Sequence, residues 1–213
     1  MSESVKKRVV LATRNQGKIG EFERLLAEYA GDITVLGLRD FPDMPDVEES
    51  GTTLEENALL KSRAVAAFTG LPALADDSGL FVAALGGDPG VYSARWAGEH
   101  GNDLANIEKV LSQMRELAIS NPALDRSAAF RCVIALSFPE DHPLGGEDLI
   151  EMGEMPGSLI EEARGDQGFG YDPIFLPTGS LLTSAELSAA EKDERSHRGR
   201  AMRAITPRLI PLL

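Results

Sequence analysis

Short apolar runs and longer patterns with helical spacing succeed one another along the chain. Val9-Val10-Leu11-Ala12 is β-branched and uniformly apolar, which predicts a strand covered on both faces. The polar, glycine-containing turn from Thr13 to Lys18 follows, and then Ile19, Phe22, Leu25 and Leu26 recur at helical spacing. Ile33 to Leu36 reads as a second strand, and the proline-broken acidic stretch Asp40 to Glu49 as a surface loop. Thr53 and Glu56 are spaced as a capping box, opening a helix that carries Leu54, Ala58, Lys61 and Val65 on one stripe. Phe68 should be its last turn, because Gly70-Leu71-Pro72 stops it. Leu71 to Ala75 reads as a buried strand ending in Asp76, Asp77, Ser78 and Gly79.

Leu80 to Leu85 leads into the turn cluster Gly86 to Gly90 and then the aromatic stretch Tyr92 to Trp96. Those aromatics either pack in the core or line a cleft or subunit contact. Leu104, Ile107, Val110, Leu111 and Met114 predict a helix over 102–117, and Ala128 to Phe138 predicts a strand. The glycine-rich Gly145 to Pro156 predicts a hairpin. Ser184 to Arg203 is polar and merges into a terminal helix that Pro207 should kink or end.

The chain has 213 residues with 43% hydrophobic content, enough for one large domain or two lobes sharing a core. A net charge of −13 argues against nucleic acid or anionic membrane as a partner, since both demand a positive field. An anionic small molecule would need local Lys and Arg or a metal ion held on carboxylates. The lone Cys132 reads as a buried small hydrophobe. The polar start before Val9 shows no targeting segment and no run suits a membrane span, so a cytoplasmic location is expected.

Three stretches carry candidate chemistry. At the end of a strand in an open α/β sheet, Asp76, Asp77 and Ser78 would face the ligand crevice, with one carboxylate toward it and the other fixing the loop. Asp-Asp-Ser-Gly is equally a good turn sequence. The Thr13 to Lys18 turn offers backbone N–H groups and a cation to an anion, although Ala12 and Ile19 depart from a P-loop. Lys61, on a stripe of small and apolar residues, either snorkels to solvent or reaches a ligand, and Asn57 could share its direction. Glycines around Phe169 and Tyr171 would let the backbone approach a flat ligand that stacks on a ring, or would form an ordinary turn with buried aromatics. His197 suits hydrogen bonding better than metal ligation, because the chain's three histidines lack paired spacing.

Taken together, the ordered stretches 12–18, 48–58, 75–80, 90–95, 168–175, 185–187, 191–192 and 196–199 resemble the inosine triphosphate pyrophosphatase family of nucleotide hydrolases. The resemblance covers nearly the whole chain, as one domain over 1–213. It implies an α/β fold with a mixed, strongly twisted central sheet flanked by helices, and two lobes around a deep nucleotide-binding cleft. It further implies a homodimer and hydrolysis of ITP, dITP and XTP to the monophosphate and pyrophosphate with Mg²⁺ as cofactor. By the same resemblance Asp77 is the general base and, with Glu49, a metal ligand. Thr13, Arg14, Asn15, Gln16, Gly17, Lys18 and Lys61 match triphosphate contacts, and Ser78 a substrate contact. Phe169, Gly170, Tyr171, Asp172, Lys192, His197 and Arg198 match the nucleoside pocket. A Maf-like nucleotide pyrophosphatase and a non-catalytic nucleotide sensor are the competing readings. The Ser196 to Gly199 and Gly168 to Asp172 stretches point away from the first, and retention of a hydrolytic base points away from the second.

Overall fold

The computed structural model describes residues 7–27 and 33–213. Most of the polar start read above as free of a targeting signal, residues 1–6, lies outside the described residues. Strand β1 (Lys7–Leu11) leads through helix α1 (Gln16–Ala27) to β2 (Ile33–Gly37), and α2 (Leu54–Thr69) leads to β3 (Ala73–Val82). Helix α3 (Asp103–Ser120), strands β4 (Ser127–Ser137), β5 (Asp148–Leu159) and β6 (Phe175–Pro177), and helices α4 (Ala189–Arg195) and α5 (His197–Leu209) complete the chain. The six strands form one sheet in the order β2-β1-β3-β4-β5-β6. It is mixed, with β1 parallel to both β2 and β3, and β5 antiparallel to β6.

The chain divides into two compact units. The first comprises residues 1–77, 133–152 and 201–213, and the second residues 78–132 and 153–200. In the first, Val10, Ala73 and Ala75 of the parallel strands and Ala12 just past β1 pack with Val65 and Ala66 of α2 and with Leu38 and Met44. Helix α1 buries Ile19, Phe22, Leu25 and Leu26, the repeat that predicted it. Helix α2 opens on the expected capping box, with Thr53 accepting from the Glu56 amide and Glu56 reaching back, and closes on Gly70 at φ 66°. The core of the second unit gathers Leu80 and Val82 of β3, Ile107, Val110, Leu111 and Met114 of α3, and Phe130, Tyr171, Ile174 and Phe175. Cys132 is buried, as read from its apolar context.

Strand β3 differs from its sequence reading in a way that matters. Asp76, Asp77, Ser78 and Gly79 do not close the strand in a turn; they lie within it, and it continues to Val82. The cause is sheet position: β3 is an interior strand with β4 on its other edge. β1 pairs with β3 only at Val10–Ala73 and Leu11–Leu74, so β3 outruns its neighbour by several residues. The carboxylates therefore emerge beyond the carboxyl end of β1, the strand whose two parallel neighbours, β2 and β3, lie on its opposite edges. That is the switch point at which open α/β sheets bind ligands.

Gly79 is in the strand for want of a side chain, because a Cβ there would overlap the Gly90 carbonyl oxygen and crowd Ser93 Oγ at 2.9 Å. Ser93 Oγ accepts from the Leu80 amide at 2.8 Å and donates to Gly90 O at 2.6 Å, tying the loop to β3.

Two further expectations are corrected. The stretch 145–156 forms no hairpin; most of it belongs to the single strand β5. Gly157 near its end serves close approach instead of a turn, since a Cβ there would meet the Phe175 ring at 2.6 Å and overlap the Leu176 carbonyl. The terminal polar stretch is two helices separated at Ser196, and Pro207 sits inside the last turn of α5, which runs on to Leu209. Of the aromatics at 92–96, Trp96 packs against the core of the second unit and donates Nε1–H to Gln113 at 2.9 Å, while Tyr92 is exposed.

Replacing Gly79 with alanine should lower unfolding free energy by about 1–3 kcal/mol, the cost of forcing an extra methyl into a packed contact. Urea denaturation of the two proteins measures it, and an unchanged midpoint would mean that the contact between Gly90 and β3 yields freely.

Candidate functional site

The carboxylates of β3 alternate to opposite partners, as neighbours on an extended chain must. Asp76, with its side chain fully buried, pairs through Oδ2 with Lys18 Nζ at 3.0 Å. Asp77, 9% exposed at its side chain, accepts from Lys61 Nζ through Oδ1 at 3.2 Å and from Asn57 Nδ2 through Oδ2 at 3.2 Å. Lys61 Nζ also donates to Glu49 Oε1 at 2.6 Å. Glu49 comes from the proline-broken loop, Lys61 and Asn57 from α2, and Lys18 from the first turn of α1. Three acids and two lysines thus meet in the first unit, and Lys61 reaches partners instead of snorkelling to solvent.

The surroundings set the protonation states. Burial is the largest influence on Asp77 and raises its pKa; Lys61 and Lys18 pull it down, Glu49 and Asp76 push it up, and the net position is above the ordinary carboxylate value. Burial alone would lower Lys61, but Asp77, Asp76 and Glu49 outweigh it and hold the ammonium above its ordinary pKa. A carboxylate with raised proton affinity beside a fixed cation is the environment of a general base.

The turn before α1 is organised by its own side chains. Asn15 Oδ1 accepts from the Lys18 amide at 3.1 Å and Thr13 Oγ1 from the Asn15 amide at 3.2 Å, placing Gln16, Gly17 and Lys18 in the first helical turn. Arg14 is engaged elsewhere, pairing with Asp46 at 3.1 Å and donating to the Met44 carbonyl at 2.9 Å on the acidic loop.

The second unit holds the remaining candidates. Buried Asp172 accepts from Lys192 Nζ at 2.6 Å and from the Phe169 amide at 2.9 Å through the same oxygen. Gly168 at φ 79° lets that oxygen approach, since any Cβ there would overlap it. The Phe169 ring is half-buried, with Lys192 Nζ 4.8 Å and the Arg198 guanidinium 5.9 Å from its centroid. Arg198 donates to Ser78 Oγ at 3.0 Å, and the His197 ring stacks on Phe130 at 5.0 Å.

Gly170 and Tyr171 act as supports. The Gly170 amide donates to Asp103 Oδ2 at 2.7 Å and the Tyr171 hydroxyl to the Ser93 carbonyl at 2.9 Å. Burial, followed by the charge of Asp103, pushes the Tyr171 phenol well up, so it remains a donor. Sequence reading passed over Asp103 and Ser93; the helix-start position of one and the turn position of the other gave no hint of distant partners. It also left Asp76 without the Lys18 pairing that its place on an extended strand allows.

Among the described residues no group of three or more His, Cys, Asp or Glu is arranged to hold a metal ion. Glu49 and Asp77 nevertheless converge on one Lys61 nitrogen, so their oxygens are no farther apart than those two contacts together. Two hard carboxylates suit Mg²⁺, which keeps several waters and takes substrate phosphates as ligands in place of an all-protein cage. No described helix is long and apolar enough to cross a membrane.

The Ham1 family model matches residues 9–208. The dITP/XTP pyrophosphatase of Streptomyces avermitilis is 47% identical over 206 residues, covering 97% of this chain and 98% of that protein. The Geobacter sulfurreducens protein of the same name is 50% identical over 195 residues, 92% of each. A solved HAM1 protein from Coxiella burnetii superposes with a TM-score of 0.82 at 43% identity, over 96% of this chain and 99% of that one. The Staphylococcus aureus Ham1 protein gives 0.80 at 40% identity, with the same coverage.

The raised pKa of Asp77 has a consequence for the metal-free protein. A group that binds its proton more tightly when folded contributes stability that is fully present below its unfolded pKa and is lost as pH rises through the folded one. Asp77→Asn has no such proton to lose. In chelator, it should therefore gain on wild type as pH rises from the ordinary carboxylate range, by about 1.4 kcal/mol for each tenfold increase in proton affinity. Denaturant titrations across that window read the difference, and a gap constant from about pH 4 to about pH 8 would refute the raised value.

Proposed function

The chain belongs to the Ham1 family, and on that premise we propose that it hydrolyses ITP, dITP and XTP to the monophosphate and pyrophosphate, clearing non-standard purines from the nucleotide pool. The observation that carries the reading is the convergence of Glu49, Lys61 and Asp77, a base of raised proton affinity held against a fixed cation. Cleavage between the α and β phosphates needs water to attack phosphorus while charge builds on the departing pyrophosphate. Asp77 accepts the proton of that water, and Lys18 and Lys61 meet the triphosphate. In the free protein each lysine already has a carboxylate partner, so binding requires them to share it. The Gln16, Gly17 and Lys18 turn offers the positive end of α1 to a phosphate, with Thr13 and Asn15 shaping the approach. Arg14 contributes from the same turn, held to the acidic loop by Asp46 and the Met44 carbonyl.

Glu49 and Asp77 would hold Mg²⁺, which when bound neutralises phosphate charge and polarises the phosphorus–oxygen bonds. The cytoplasm and a homodimer complete the reading on family likeness, and the net charge of −13 supports the absence of a nucleic-acid polymer or membrane as partner.

Base choice falls to the second unit's candidates. The purine stacks on Phe169, and Lys192 and Arg198, both poised over that ring, donate to its 6-oxo group. Asp172 fixes Lys192, Ser78 fixes Arg198, and Gly170, Tyr171 and His197 hold the surrounding backbone and rings in place. Adenine presents a 6-amino group to those donors and leaves its own hydrogens without acceptors, so ATP is a poor substrate.

Pyrophosphate release measured across ITP, XTP, GTP and ATP tests the activity. Asp77→Asn should lower ITP turnover by about 10²–10⁴-fold, the usual worth of a general base, while the protein stays folded. Near wild-type turnover at saturating Mg²⁺ would move the role to another carboxylate. In the same assay Arg198→Ala should lose most of its ITP rate with little change for ATP, shrinking the ratio of the two. An equal proportional loss for both would remove Arg198 from base recognition.

A further inference from the structure

Asn57 is fully buried in the first turn of α2, one helical turn before Lys61. Burying an amide side chain is costly unless its donors and acceptor are used, and here both ends are. Its Oδ1 accepts from the Gly51 amide at 2.8 Å, and its Nδ2 donates to Asp77 Oδ2 at 3.2 Å. The Gly51 N–H can only donate, so it fixes which end of the amide faces the loop and turns the NH₂ toward Asp77. Gly51 itself is permissive for this contact, because a Cβ there would stand 2.6 Å from Asn57 Oδ1 and 2.7 Å from Glu56 Cβ. Glu49, whose carboxylate shares Lys61 with Asp77, lies two residues before Gly51 on the same loop.

We infer that Asn57 is the positioning residue of this site, a clamp that sets the Glu49 loop against β3 and commits one oxygen of Asp77 so that the other is presented for chemistry. The assignment rests on the reading of Asp77 as base and adds to it. Asp77 has two acceptor oxygens and a carboxylate can rotate. With Oδ2 held by the Asn57 amide, Oδ1 is the oxygen that faces Lys61, beside Glu49. The capping box at Thr53 and Glu56 secures the start of α2 without touching Asp77, so helix integrity and carboxylate orientation are separable functions of neighbouring residues.

A double-mutant cycle separates the inference from the reading beneath it. Asn57→Ala should lower kcat for ITP on the order of 10- to 100-fold, the range typical of residues that orient a functional group, and change KM by much less. In the Asp77→Asn background the same substitution should cost nothing further, because the group it positions is already disabled. If Asp77→Asn alone leaves turnover intact, the base assignment fails and the inference falls with it. If Asp77→Asn is impaired and Asn57→Ala costs its full factor again, Asn57 acts structurally and only the inference is overturned. Urea denaturation accompanies each variant. Should Asn57→Ala not fold, Gly51→Ala crowds the same amide from its other side, and it must lower kcat in wild type and leave Asp77→Asn unchanged. Equal losses in the two backgrounds would again overturn the clamp.

Discussion

Charge compensation around the two carboxylates of β3 is the constraint on which the first unit depends. An ion removed from water without a partner costs several kcal/mol even after relaxation, comparable to the whole stability of many domains. Asp76 and Asp77 are both buried, so each needs a cation, and one supplied from outside would be lost whenever the site emptied. The chain supplies both cations from helices that flank the strand: Lys18 as α1 begins, and Lys61 two turns into α2. Each helix therefore has a position dictated by a lysine as well as by its apolar stripe. Glu49 then makes the acids exceed the lysines, and that surplus, with burial, leaves Asp77 with the proton affinity a base requires.

The second unit uses the same device with a different outcome. One buried carboxylate, Asp172, collects an ammonium and a backbone amide on a single oxygen, and so fixes Lys192 and the Phe169 backbone together. For the base proposed to stack on Phe169, the geometry of these donors is set in advance, which reduces the ordering cost of binding. Asp103 and Ser93 extend that support to Gly170 and Tyr171 through bonds that span 67 and 78 residues of sequence.

Signals that are local in sequence were legible; those that depend on where a neighbour ends were not. The repeat of Ile19, Phe22, Leu25 and Leu26 and the Thr53 to Glu56 box each declare a helix within one or two turns, and the helices formed as read. Whether Asp-Asp-Ser-Gly turns or runs straight depends on which strands lie beside it, since β3 has β4 on its other edge where β1 has ended, and no property of the four residues reveals it. The same holds for 145–156, where Gly145 and Gly146 do lie in a turn but the residues from Asp148 run on as one strand instead of turning back, and Gly157 beyond them leaves space for Phe175 and Leu176. Of the candidate site, the acids, lysines and Phe169 region were legible by type and by family likeness. Their pairings were not, and Arg14, within the Thr13 to Lys18 turn, proves to be held by Asp46 and the Met44 carbonyl.

The extended conformation of β3 is also what gives two identical neighbouring side chains different work. In a turn, Asp76 and Asp77 could share one environment, and like charges at that spacing would force one of them to keep its proton. On a strand they must diverge. Asp76 falls to the fully enclosed side, where its ion pair with Lys18 braces the start of α1. Asp77 falls to the side where a little exposure remains, where Glu49 adds a second negative charge and where an amide rather than a second cation takes its other oxygen. A structural carboxylate and the proposed base thus follow from a single alternation. The reach of β3 past β1 is therefore a condition of the chemistry as much as of the sheet.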